Sequence, residues 1–530
     1  MPLITSDIDP DYNALVEGDS GAGADFPWEH AATDTHVLDH ALKPPTHGGG
    51  GGGGGGGGST FPTQAMDAQA GPTFDTNATV NGNYFIPPDS TSAAGQTAIL
   101  VGVNGVVEEF DRGGTDGNTL TSHAGFKLDD VFSGATGFLG GAFDPHIMYD
   151  AASDRFIIVA VDQNATNKTS QLLVAVSNNG SPQGAADFHA VAIDATQAAS
   201  GSWADFPQVG LDHSGNIYIT GNMFTFAGGS YSGTRLWVES ETNVSGGVGA
   251  SAVNVSAVGA GANDFFSAAP TNMGSASGNF LISYNSATNA AGHNVLHVVH
   301  VDASGNLGAE QTIDLGGKID QLTTFAGISV PEPGTSHTLD GDDSRTSLAV
   351  LSGNNNLYVA ATILPTSGAD AGHATAHWFQ LGVDSSGHVS LLNQGDVSGN
   401  AAFPGSNLRT FYPSLAVSTD ANGNDELAIS FSTSAPQTGT AYDGFPSAYE
   451  ETINPGTGTS TLGWQLLEGG LANYYRTFGT HDNRWGDYSS ISADPLHPGQ
   501  YWAFNQFAET HGTSLLGENG RWATELGLFS

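Results

Sequence analysis

The chain has 530 residues, with 12 Lys+Arg against 53 Asp+Glu, a formal net charge of −41, 74 glycines and no cysteine. Cations this few and scattered exclude a nucleic-acid partner, whose phosphates need clustered positive charge, and disfavour an anionic membrane surface. The absence of Cys excludes disulfides and thiolate metal sites, and no apolar run reaches the roughly 18 residues of a spanning helix, so no membrane insertion is expected.

Residues 1–60 read as a disordered acidic tail. It includes one short helical stretch near Trp28–Leu42 and ends in the glycine run Gly48–Gly58, a flexible tether with nothing to bury. Within it His36 and His40 stand four apart beside His30 and Asp39, a transition-metal pair if the segment is helical, and the tail is expected to contact a partner that the sequence does not name. No basic stretch followed by an apolar one, the mark of a signal peptide, opens the chain. The cysteine-free, acidic, Gly/Ser/Thr/Asn-rich composition nevertheless points to an extracellular or cell-surface protein.

From residue 61 to 530 the pattern becomes short alternating apolar runs separated by Asn-Gly, Ser-Gly and Asp-Gly turns, the signature of β-strands. A common frame recurs: a Pro or small residue, an alternating strand, a polar turn, then an aromatic-rich strand. It is seen in Pro145–Asp150 with Arg155–Val159, Pro207–Asp212 with Asn216–Thr220, Pro270–Met273 with Asn279–Tyr284, Pro413–Ser418 with Glu426–Phe431, and Ser489–Asp494 with Gln500–Phe504. Weaker copies start at Thr346 and at Pro88, and the mean step is about 67 residues. That length holds four strands plus loops, one propeller blade, so the expectation is an all-β fold, a single seven-bladed β-propeller. The last copy has room for only three strands, Ser490–Ala493, Tyr501–Phe507 and Trp522–Phe529. An N-terminal segment, from Thr73-Phe74 through Ala78–Val80 to Tyr84–Ile86, is therefore expected to close the ring as the outer strand of the seventh blade.

Pro87-Pro88-Asp89, Asp144-Pro145 with Tyr149-Asp150, Asp205-Phe206-Pro207 with Asn222–Phe224, and Arg484–Tyr488 with Asp494-Pro495 resemble a broad family of bacterial secreted or surface β-propeller repeat proteins, loosely sialidase-like. The resemblance spans about residues 85–530 and implies the fold more than an activity. Sialidase chemistry needs three arginines around one carboxylate; Arg155, Arg345 and Arg484 occupy unequal positions in their repeats and are not expected to converge. Gly229–Gly233 matches a nucleophile-elbow string but lies between strands, so it reads as a turn.

If the residues preceding each innermost strand line one channel rim, Asp144, Asp205, Asp342, Tyr412, Arg484, Trp485 and Asp487 form the candidate ligand-binding set. Their alternative role is hydrogen bonding between blades. Asp420, Asn422, Asn424, Asp425 and Glu426 place oxygen atoms around Gly423 as a weak Ca2+ loop would, and Asp340–Asp343 is a lesser candidate. The leading expectation is a non-enzymatic surface propeller binding a carbohydrate or protein ligand at that rim. The alternatives are a glycan-active hydrolase or lyase using rim carboxylates, and a structural part of a surface layer or filament.

Overall fold

The computed structural model describes residues 63–197, 201–249, 253–255, 261, 263–323, 326–420, 422–439, 444–478 and 483–530. The tail with its glycine run, and the group His30, His36, Asp39 and His40, lie outside the described residues.

The protein is all-β. Its strands fall into successive antiparallel sheets, each wound strand by strand; the fourth and fifth are joined edge to edge by a parallel pairing of Thr271 with Ala349, and Thr63–Gln64 adds a parallel strand to the outer edge of the sixth. The first sheet holds Thr91–Ala94, Ala98–Val103, Val106–Gly113 and Thr119–Ser122; the second Phe143–Asp150, Arg155–Asn164, Thr169–Ser177 and Phe188–Asp194; the third Ser202–Leu211, Asn216–Thr225, Tyr231–Ser240 and Val253–Asn254. The fourth holds Ala269–Asn272, Asn279–Ser283, Val295–Val301 and Gln311–Asp314; the fifth Ala349–Leu351, Asn356–Ile363, Thr375–Val383 and Val389–Val397; the sixth Arg409–Thr419, Asp425–Ser434, Ser447–Asn454 and Thr459–Glu468. The seventh holds Ser490–Ala493, Tyr501–Ala508 and Trp522–Phe529, and its outer strand, Met66–Thr73, comes from the other end of the described chain, pairing Met66 with Leu528 and Thr73 with Ala523.

The expected strand around Ala78–Val80 is instead a helix, Phe74–Asn81. Thr73 caps it: its hydroxyl accepts the Thr76 amide at 3.1 Å while the Thr76 hydroxyl accepts the Thr73 amide at 2.6 Å, and Gly82 ends it at φ 90°. A reciprocal cap of this kind overrides a weak strand composition.

Packing runs face to face between consecutive sheets. Leu100 and Val107 of the first sheet meet Ile158 and Leu173 of the second; Ile157 and Val174 meet Val209 and Ile219; Tyr218 and Leu236 meet Leu281 and Val299. The same holds through the fourth to seventh sheets. Ile99, Val101 and Phe110 of the first sheet then share a core with Trp502, Phe504 and Leu526 of the seventh. Across that junction Arg112 forms a buried bidentate pair with Asp494, at 3.0 and 2.7 Å, and stacks over Trp502.

A small hairpin, Ser329–Pro331 with Thr338–Asp340, interrupts the path between the fourth and fifth sheets. Its Val330 and Leu339 join Tyr412, Tyr474 and Trp485 in one buried cluster, and its Glu332 accepts the Tyr474 amide at 2.6 Å. No described helix is long and apolar enough to cross a membrane.

Candidate functional site

The first strands of the second, third and sixth sheets break register at the same place, between Phe143 and His146, Asp205 and Gln208, and Phe411 and Ser414. At each break the residue before proline takes a left-handed backbone: Asp144 at φ 52°, Phe206 at 48°, Tyr412 at 50°. Such bulges re-aim side chains and free an amide from its ladder. The freed amides reach the preceding sheet: Asp144 donates to Asn104 Oδ1 at 3.0 Å, Phe206 to Asp144 Oδ2 at 3.1 Å, and Tyr412 to Thr362 Oγ1 at 3.1 Å. Ser267 donates likewise to Asn222 Oδ1 at 2.9 Å, whereas Asp487, just ahead of the seventh sheet, donates across the junction to Asp89 Oδ1, ahead of the first, at 2.7 Å.

The candidate rim residues are thus brought together, on a buried axis rather than an open rim. Asp144, Asp205, Asp342, Tyr412, Arg484, Trp485 and Asp487 are each at most 7% exposed. Trp485 serves the core, donating Nε1–H to Ser432 at 3.2 Å and meeting Tyr474 edge to face. Arg345 pairs with Asp342 at 2.7 Å and Asp343 at 3.0 Å; Arg484 pairs with Asp487 and lies 3.6 Å from Asp340. Here the expectation for the arginines is corrected: Arg345 and Arg484 share one set of acids, because the Asp340–Asp343 segment folds over the axis. Arg155 stays apart, against Ser245.

Burial pushes the Asp205 carboxyl well above its usual range, and the charges of Asp144 and Asp487 push the same way. Asp342 is raised by burial against the pull of Arg345. His146, stacked on Tyr488 at 4.2 Å, is held neutral by burial, its pKa pushed down to about 3. The cavity among these groups, lined by His146, Phe206, Gln208, Arg345, Tyr412 and Asp487, measures about 30 Å³. That is room for a water or an ion and not for a sugar ring.

The proposed calcium loop does not converge. Asp420 accepts the amides of Asn422 and Asn424, both at 2.8 Å, and the Asn424 side chain at 3.0 Å; these bonds hold its pKa down at about 2. Asp425 faces the fifth sheet, where Ser352, Asn354, Asn356 and Tyr358 all donate to it within 3.0 Å. Glu426 turns the other way and accepts the Tyr501 hydroxyl at 3.3 Å.

What the turn does build is a wall of an open groove of about 460 Å³ between the sixth and seventh sheets, lined by Ser418, Asp420, Asn424, Asp425, Glu426, Asn454 and Thr461, with Pro498 and Gly499 across from them. The Gly499 amide donates to Ser418 Oγ at 3.1 Å and ties the two sides together. Sequence reasoning missed this groove, because its lining comes from three separate turns. It also left Asp89, His146, Gln208 and Arg345 out of the axial group, although Asp89, His146 and Gln208 directly follow Pro88, Pro145 and Pro207, which mark the repeat frame.

No family model matches the chain, and no curated protein matches it in sequence. Among solved structures, the GH43 endo-arabinanase from Bacillus licheniformis is similar at 15% identity over 57% of this chain and 96% of that one, with a TM-score of 0.30. An endo-arabinase from Bacteroides thetaiotaomicron is similar at 10% identity over 70% and 92%, TM-score 0.31. A protein of unknown function from Dyadobacter fermentans is similar at 9% identity over 88% and 98%, TM-score 0.34.

Proposed function

We propose that the chain is a seven-bladed β-propeller, closed by Met66–Thr73 and displayed outside the cell, that binds a neutral carbohydrate in the groove between its sixth and seventh blades. The observation that carries this reading is the contrast in size: about 460 Å³ of open groove against about 30 Å³ on the axis. Only the former falls in the roughly 300–1,000 Å³ range of small-ligand sites. Its carboxylates accept and its amides and hydroxyls both donate and accept, which suits the paired donor and acceptor character of sugar hydroxyls. Asp420, Glu426 and the net charge of −41 repel anionic glycans.

Calorimetric titration of the full chain with neutral and uronic-acid oligosaccharides tests it. Neutral oligomers bind, uronates do not, and Glu426→Gln weakens binding about tenfold, the loss of one charged hydrogen bond. If no neutral oligomer binds, the reading fails. If new reducing ends accumulate and Glu426→Gln stops them, the groove carboxylates are catalytic and hydrolysis replaces simple binding.

A further inference from the structure

The axial cluster calls for a partner of its own. Asp89, Asp144, Asp205, Asp340, Asp342, Asp343 and Asp487 gather there with Arg345 and Arg484. Taking a carboxylate out of water costs several kcal/mol, and the fold does not require acids in these places. Phe206, Ser267 and Tyr412 fill the same left-handed slots in other sheets and donate the same inter-sheet bonds. Asp89 and Asp144 are acids in the slots of the first and second sheets, and Asp487 stands just ahead of the seventh sheet, their neighbour across the junction.

One oxygen from each of these three lies within 4.8 Å of the others, and all three residues are buried. Buried carboxylates from four sheets suit calcium, which takes about six to eight oxygen ligands, better than magnesium, which keeps several of its waters. A separate feature points into the same place. Asp205 is fully buried and both of its carboxylate oxygens lack a hydrogen-bond donor among the described residues, while its charge faces Asp144 and Asp487. Asp487 Oδ2 also lacks a donor.

We propose that Asp89, Asp144 and Asp487, with Asp205 beside them, hold one calcium-sized divalent cation on the axis, tying the first, second, third and seventh sheets together. The ion links residues 398 apart in sequence, Asp89 and Asp487, alongside the amide bond that already joins them. It is independent of the groove, whose Asp420 and Glu426 lie on the sixth sheet's outer turn.

The test uses the full chain, stripped with EDTA and titrated with CaCl2 and with MgCl2, by calorimetry and by melting. One calcium binds per chain and raises the melting temperature, and magnesium binds more weakly. Asp205→Asn keeps the shape and removes a buried carboxylate that has no donor among the described residues, so it melts higher than wild type in EDTA yet binds calcium about tenfold more weakly, since ligand charge tunes the affinity of such sites. Asp144→Asn abolishes binding, and Asp420→Asn, in the groove, leaves it unchanged. Identical melting of wild type in calcium and in EDTA overturns the proposal, as does wild-type calcium affinity in Asp205→Asn. If Asp144→Asn does not fold, the two opposite signs expected of Asp205→Asn still decide.

Discussion

Ring closure by the N-terminal strand is tested by comparing two truncated chains, residues 61–530 and residues 87–530. The longer one keeps Met66–Thr73 on the edge of Trp522–Phe529, together with the segment that follows, in which Phe74 and Ile86 are at most 1% exposed and Tyr84 and Phe85 are 8% exposed. Burying each of these four side chains stabilises by about 1.5–3 kcal/mol, together roughly 6–12 kcal/mol. A domain has only about 5–15 kcal/mol in total, so the 87–530 chain is expected to be unfolded or aggregated at 25 °C, while 61–530 melts cooperatively. A point variant asks the same question more gently: a Cβ on Gly71 would sit 2.6 Å from the Phe504 ring and 2.7 Å from Thr524 Oγ1, so Gly71→Val should lever the strand off and lower the melting temperature. Scanning fluorimetry and size-exclusion chromatography read both. If 87–530 elutes as a monomer and melts with 61–530, the strand does not close the ring.

Two further outcomes follow from buried charge. Asp494→Asn leaves Arg112 without its counter-ion and should cost about 3–5 kcal/mol in urea unfolding, whereas Arg112→Met with Asp494→Leu should recover most of it. Burial lifts Glu450 to about 8 from its ordinary 4.5, with Glu451 and Glu426 adding repulsion. Because the folded value lies above the unfolded one, this group's stabilisation is complete below pH 4.5 and is lost as pH rises through 8. At pH 7 about 3 kcal/mol has gone. Glu450→Gln should therefore unfold with that much less decline between pH 4 and pH 7 than wild type, and parallel pH profiles of the two would refute the assignment.

The repeat frame was legible because its signals are local. Pro145, Pro207 and Pro413 mark the bulged starts of three first strands, and the period-two runs after them become the strands observed. The need for a fourth strand in the seventh sheet could be read from the short chain left after Ser489, though not which residues supply it. Met66–Thr73 is not strongly apolar, and the more strand-like Ala78–Val80 went to the Thr73-capped helix. The hairpin Ser329–Asp340 breaks the frame, and its role over the axis follows from tertiary contacts such as the Asp340 amide on the Asn483 carbonyl at 3.0 Å, which no local pattern announces.

The sites show why motif and function separate. Asp420–Asn424 looked like a cation loop, yet Asp212, Asp302 and Asp384 make the same turn. Each accepts the amides two and four residues on, with a glycine at φ 74–81° between them. Four copies of one turn cannot all be cation sites, and a carboxylate that satisfies two amides is already employed in folding. The turn at Asp420 differs from the others in its surroundings, since the strand after it sends Asp425 to one face and Glu426 to the other. That alternation dismantles the apparent ligand set and delivers Glu426 to the groove wall opposite Gly499. On the axis the reverse holds: beside the Asp340–Asp343 run, acids far apart in sequence converge because each lies in or just ahead of the first strand of its sheet. Chemistry in this chain therefore follows the position of a residue within its repeat and the identity of the neighbouring sheet, and a search by contiguous motif is led first to turns.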